Sequence, residues 1–211
     1  MQLPEILIVL AAVACLVGYQ IKYVYDSHRR PDSTPFGLGA TSRRLWVQSV
    51  MAERRDVLAV QTLRNWTMAA SFLASTAFLI SVGLLSFLLT AGDVPKFVHR
   101  LNMLGTTSEQ IVVTKVLILL INFFIAFFNC TQAIRYYNHV ALDINVPRTE
   151  AGAVPPAVVV RLLDRGALFF TLGLRGFYIA VPLVLWVFGP LWFLAGAFAL
   201  MVVLHRLDHV G

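Results

Sequence analysis

Eight polar side chains at the edges of long apolar runs are the first candidates for chemistry: Arg64, Asn65, Asn129, Gln132, Arg135, Tyr136, Arg175 and Tyr178. A guanidinium offers paired N–H donors to phosphate or carboxylate oxygens. Asn and Gln donate and accept, and a Tyr ring sits in apolar surroundings with its hydroxyl at a wet edge. Together they would form a polar, basic site for an anionic lipid headgroup or a small anion. The competing reading is structural. In it the amides bond one another to hold helices together while the arginines reach out to phosphates. Asn122, Asn129, Gln132 and Tyr136 follow at intervals of 7, 3 and 4, which is one face of a helix. Amides facing hydrocarbon are costly, so this face is expected to point into a bundle. Helix-start amides near Trp66 would add positive potential if a helix begins there, and none if it runs in from Ser42.

A second candidate is His205 and His209, four apart with Asp208 between them. That spacing can hold a metal ion from one helix, and would give a membrane enzyme with an outer-side metal. The plainer reading is a solvated tail, and no metal is assigned. No cofactor is expected either, since no His lies mid-span to hold a haem. Nucleophilic catalysis has no support. Ser71, Ser75, Ser81 and Ser86 have no His or Asp within their run, and there is no Gly-x-Ser-x-Gly. No intramembrane aspartates offer a protease pair or a proton path. Gly37-Leu-Gly39 is too little for a phosphate loop. Cys15 and Cys130 both lie in apolar runs and read as buried packing residues. The expected protein is therefore non-enzymatic.

The elements that would position these groups follow from composition. The 211 residues are 58% hydrophobic and 13% charged, with a mean hydropathy of +0.75. About 25% charge is usual for a soluble domain. The fold class is all-α, a polytopic membrane protein in a single transmembrane domain over 1–211. Four membrane helices are expected at about 3–25, 66–90, 111–137 and 177–204, with a cytoplasmic amphipathic helix at about 42–65. The first is read as uncleaved, because Glu5 replaces a basic leader and the apolar run continues past Cys15. Ser27–Thr41, with Pro31, Pro35, Gly37 and Gly39, reads as a loop. So do 91–110, with Asp93, Lys96, His99 and Arg100, and 138–156. In the second span Ala70 and Ala74, or Ser71 and Ser75, would let a neighbour approach closely. Lys115 is expected to snorkel to the nearer interface. The last apolar run is read as one kinked span. The alternative splits it at Gly189-Pro190 and leaves a second part that crosses the membrane with difficulty.

The net charge of +6 fits the positive-inside bias and anionic headgroups rather than nucleic acid, for which no motif exists. With four spans, every Lys and Arg except Lys96, Arg100, Lys115 and Arg206 falls on one side. That side is expected to be cytoplasmic, with both termini on the outer, periplasmic side of a bacterial inner membrane. A fifth crossing would move only Arg206.

Three segments carry a resemblance. They are Leu58-Ala-Val-Gln-Thr-Leu-Arg-Asn-Trp-Thr-Met-Ala-Ala-Ser71, Gln132-Ala-Ile-Arg-Tyr-Tyr-Asn-His139, and Arg175-Gly-Phe-Tyr-Ile-Ala-Val-Pro-Leu-Val-Leu-Trp-Val-Phe-Gly-Pro190. Together, over about Leu45 to Arg206, the chain resembles the domain of unknown function family 599, multi-span membrane proteins of bacteria and plants. The resemblance implies a multi-pass membrane protein and brings no activity or catalytic residue. The expected function is an accessory or partner-binding membrane protein. Its partners would be membrane lipids, and other membrane subunits or further copies of itself. The alternative is a small-solute or ion transporter or channel acting as an oligomer.

Overall fold

The computed structural model describes residues 3–29, 35–53, 56–90, 109–146 and 153–208. The connection with Asp93, Lys96, His99 and Arg100 lies outside the described residues, as do His209 and the side chains of Tyr23, Tyr25 and Asp26. Among the described residues all regular structure is helical: α1 Leu3–Arg29, α2 Pro35–Glu53, α3 Asp56–Leu89, α4 Glu109–Asp143, α5 Pro156–Phe188 and α6 Pro190–Leu207. All but α2 are long and apolar enough to cross a membrane, which makes five candidate spans. Large apolar side chains cover their outer faces, with Phe72 at 72% and Leu79 at 69% exposure. Apolar faces of that extent, on helices this long, are those of membrane spans. The chain is a multi-pass helical membrane protein.

The fifth span arises where the last apolar run breaks at Gly189-Pro190, rather than kinking as one span. Gly189 has φ 144° and ψ 164°, a region open essentially to glycine alone. Pro190 then starts α6 at the position where its missing N–H costs nothing. The same missing N–H deprives the Trp186 carbonyl of its usual helical donor. Gly189 N–H donates to it instead at 3.1 Å, and Lys115 Nζ at 2.9 Å. Lys115 is therefore turned into the bundle, only 5% exposed, where it caps the carbonyl end of α5. Trp186 and Phe193 stack across the break at 5.0 Å.

Other boundaries differ from expectation. The helix expected at about 42–65 divides between α2, which ends at Glu53, and α3, which starts at Asp56, and α4 continues to Asp143, into the loop expected at 138–156. Most of Ser27–Thr41 is helical, because Pro35 is suited to a first turn. The stretch from 156 to 188 is one helix that runs through Arg175 without a break. Gly173 and Gly176 are not helix breakers there but contact points. A Cβ on Gly173 would lie 2.5 Å from Cys130 Sγ, and one on Gly176 2.8 Å from Ala126 Cβ. Their absence lets α4 and α5 pack at close range, as small residues do in lipid.

Side-chain pairs fix the directions. Tyr137 lies against Gly166, and Lys115 against Trp186, so α4 and α5 are antiparallel. Trp66 meets Tyr137, and Phe78 meets Phe127, so α3 and α4 are antiparallel as well. Cys15 meets Met201, and Tyr19 meets Asp208, so α1 and α6 run in parallel. The starts of α3 and α5 and the end of α4 gather with α2 at one end of the bundle, hereafter the α2 end. The hinge at Gly189 and the start of α1 are at the other, and Asp208 returns to the α2 end. At 34 residues, α3 is about 51 Å long, against a hydrocarbon core of about 30 Å. The helix is therefore longer than a perpendicular crossing needs. One core cluster, including Val47, Leu63, Tyr137 and Leu163, holds the α2 end. A second, including Phe123, Trp186 and Phe193, holds the other.

Candidate functional site

Between these two clusters lies a cavity of about 530 Å³, walled by all helices but α1. Its position follows from three side chains that carry charge or bulk into the bundle. From α2, Arg43 reaches across to α5, where its Nε donates to Asp164 Oδ1 at 2.7 Å. Gly39, one helical turn before, leaves room for that guanidinium; a Cβ there would lie 2.9 Å from Arg43 Nη1. From α3, Trp66 is wedged between Trp46 at 5.8 Å and Tyr137 at 5.7 Å. From α5, Arg175 is 6% exposed although it lies inside a span.

Arg175 is tolerated there because it is doubly held. Its Nη2 donates to Asp208 Oδ2 at 2.6 Å, and its Nη1 to Gln20 Oε1. Tyr19 Oη donates to the same Asp208 oxygen at 2.8 Å. The side chains of Arg175 and Asp208 are 7% and 14% exposed. An isolated charge at that depth would be very costly, whereas a hydrogen-bonded pair is tolerable. This knot joins α1, at Tyr19 and Gln20, and the end of α6 to α5.

The rest of the lining is mainly apolar: Ala69, Ala167, Phe170, Leu174, Leu204 and Leu207, with Ser42, Thr171 and Tyr178. Both arginines at its edge have carboxylate partners, so its charge is largely balanced. It suits a molecule with an apolar body and a hydrogen-bonding end. The size is within the range of small-molecule sites, about 300–1,000 Å³.

Of the eight candidate polar residues, Arg175 and Tyr178 line this cavity. Arg64, Asn65 and Arg135 are exposed on the outside of the α2 end. Tyr136 stacks on Phe169 at 5.6 Å. Gln132 is half-buried, and Asn129 donates to the Ile125 carbonyl of its own helix at 2.8 Å. Asn122 does face inward, donating to the Gly176 carbonyl of α5 at 2.9 Å. Helix α3 starts at Asp56, so no helix-start amides lie near Trp66. His205 is exposed in the last turn of α6. Among the described residues no three metal-ligating side chains come together.

Beyond the eight candidates, the site is built by Arg43, Trp66, Tyr137, Asp164 and Asp208, with Tyr19 and Gln20. Trp66 and Tyr137 are next in sequence to Asn65 and Tyr136, and the helical phase separates them. Leu63 and Ala70, and Ala133 and Val140, are buried. Trp66 and Tyr137 lie at the same phase and point inward. Their polar neighbours, one residue or about 100° away, do not.

A family model described as a protein of unknown function, DUF599, matches residues 7–211. No curated protein and no solved structure matches the chain.

Proposed function

The chain belongs to the DUF599 family of proteins of unknown function, and we propose that it works as a non-enzymatic membrane protein that holds one amphiphilic molecule. The occupant has an apolar chain within the bundle and a polar end beside Arg43 and Arg175. The observation that carries this reading is the cavity: about 530 Å³, mostly apolar, with guanidinium groups at its edge. A single-chain amphiphile matches that division. The packed aromatic cluster of Phe123, Trp186 and Phe193 lies beyond its inner end, which favours holding a molecule over conducting one. Among the described residues the carboxylate at the cavity, Asp208, is engaged by Arg175 and Tyr19, and no metal-ligating cluster accompanies it.

The α2 end is the cytoplasmic end in this reading. Five crossings put every Lys and Arg except Lys96, Arg100 and Lys115 on that side, a stronger bias than four crossings give. The start of α1 is then outside and the end of α6 inside. In this position the protein serves as an accessory component that presents a membrane amphiphile to, or withholds it from, partners at the cytoplasmic surface.

Native mass spectrometry tests the reading. Protein extracted in mild detergent is expected to carry one amphiphile per chain. Ala167→Phe, which fills the cavity from its α5 wall, is expected to lose that molecule while remaining folded by thermal melting. An empty wild type, or an Ala167→Phe protein that retains the molecule, would refute the reading.

A further inference from the structure

A second cavity of about 540 Å³ opens between α1 and α6, on the far side of the Tyr19–Asp208 hydrogen bond from the first. Tyr19 lines the second cavity and Asp208 the first, so the bond between them is part of the wall that separates the two. We propose that this outer groove is a binding site for an anionic phospholipid, which lays one acyl chain along the groove and its phosphate against the basic groups at its end.

The groove has the polarity such a lipid requires. Its inner part is formed by Cys15, Gly18 and Met201. The Cys15 and Met201 sulfurs meet at 3.5 Å and close its floor. Gly18 borders open space, for a Cβ there would meet nothing within 4 Å. Toward the α2 end the lining becomes basic, with Lys22 from α1 and His205 and Arg206 from α6. Lys22 and Arg206 are exposed and sit one helical turn beyond Gly18 and Val202, on the faces that form the groove. No carboxylate lines the groove among the described residues. The nearby Asp208 carboxylate is held by Arg175 and Tyr19.

Apolar contact thus lies toward the bilayer interior, and the exposed cations Lys22 and Arg206 lie at the end where phosphates are found. Basic pockets between membrane helices bind anionic headgroups for this reason, and each Lys or Arg near the surface adds several-fold to the affinity. The site differs from the central cavity in charge and in the helices that form it. The central cavity is nearly balanced and lined by five helices. The groove is cationic and opens sideways to lipid.

The test is a lipid titration of the full-length protein in detergent, with adducts resolved by native mass spectrometry. Phosphatidylglycerol and phosphatidylcholine of equal chain length serve as probes. Wild type is expected to take up one phosphatidylglycerol with an affinity on the order of tenfold above phosphatidylcholine. Lys22→Gln with Arg206→Gln is expected to abolish that preference, whereas Arg64→Gln with Arg135→Gln, exposed cations at the same end, leaves it intact. Gly18→Leu, whose Cβ meets no protein atom within 4 Å, is expected to reduce binding of both lipids. The preference is expected to persist in Ala167→Phe, which separates this site from the central cavity. Equal affinity of wild type for the two lipids would overturn the proposal. So would a loss in the Arg64/Arg135 variant as large as in the Lys22/Arg206 variant.

Discussion

Arg175 and Asp208 are 33 residues apart in the chain and 2.6 Å apart in space, and their contact determines where α6 ends. The pair is buried and its carboxylate also accepts from Tyr19, so three helices depend on one oxygen atom. Removing either partner alone strands the other charge. Arg175→Ala and Asp208→Ala are each expected to cost about 3–5 kcal/mol of stability. The double variant should cost less than their sum. Arg175→Lys is not expected to rescue, because one ammonium does not reproduce the two-pronged contact with Asp208 and Gln20. Unfolding of the four proteins in mixed micelles gives the coupling directly; additive losses would mean that the pair contributes nothing.

The close approach of α4 and α5 makes a second prediction. Gly176→Val is expected to destabilise by about 1–3 kcal/mol through overpacking, since its Cβ would lie 2.8 Å from Ala126 Cβ. Gly173→Ala should behave similarly and be partly relieved by Cys130→Ala, which removes the sulfur it meets. Gly83→Ala is the contrast: nothing lies within 4 Å, and better helix propensity should raise stability by up to about 1 kcal/mol. Melting temperatures in one detergent are sufficient to rank these variants.

At the break between α5 and α6, Gly189→Ala forces a side chain into a backbone region that only glycine adopts readily. A loss of about 1–3 kcal/mol is expected. A neutral result would mean that the two helices can rejoin without strain.

Topology supplies a fourth prediction. A reporter fused after α6 is expected to be cytoplasmic and a cysteine at Glu5 accessible from outside. Placement of both on the outer side would restore the four-span arrangement and remove one wall of the central cavity.

Much of this was legible from residue patterns. The helices at Asp56–Leu89 and Glu109–Asp143 contain the spans expected at about 66–90 and 111–137, because uninterrupted apolar length is a local signal. The Gly189-Pro190 split was open as an alternative and was set aside on length. The stretch after it, however, runs to Leu207, at 18 residues just long enough to cross. The Arg175–Asp208 and Arg43–Asp164 pairs were not legible, since contacts 33 and 121 positions apart leave no periodic trace. One clue existed: an arginine inside an apolar run needs a counter-charge, and Asp208 is an acid at the end of the next one. Polar residues at the membrane level misdirected attention for a physical reason. Arg64 and Arg135 are exposed on the outward phase, while the inward phase at that level is aromatic.

The central claim is that the cavity holds an amphiphile, and photolabelling with a diazirine-bearing fatty acid tests it most directly. The prediction is saturable labelling of one molecule per chain, mapped to peptides containing Trp66, Thr171 or Leu174 and abolished by Ala167→Phe. Labelling confined to lipid-facing residues such as Phe72 and Leu79, non-saturable and unchanged by Ala167→Phe, would contradict it.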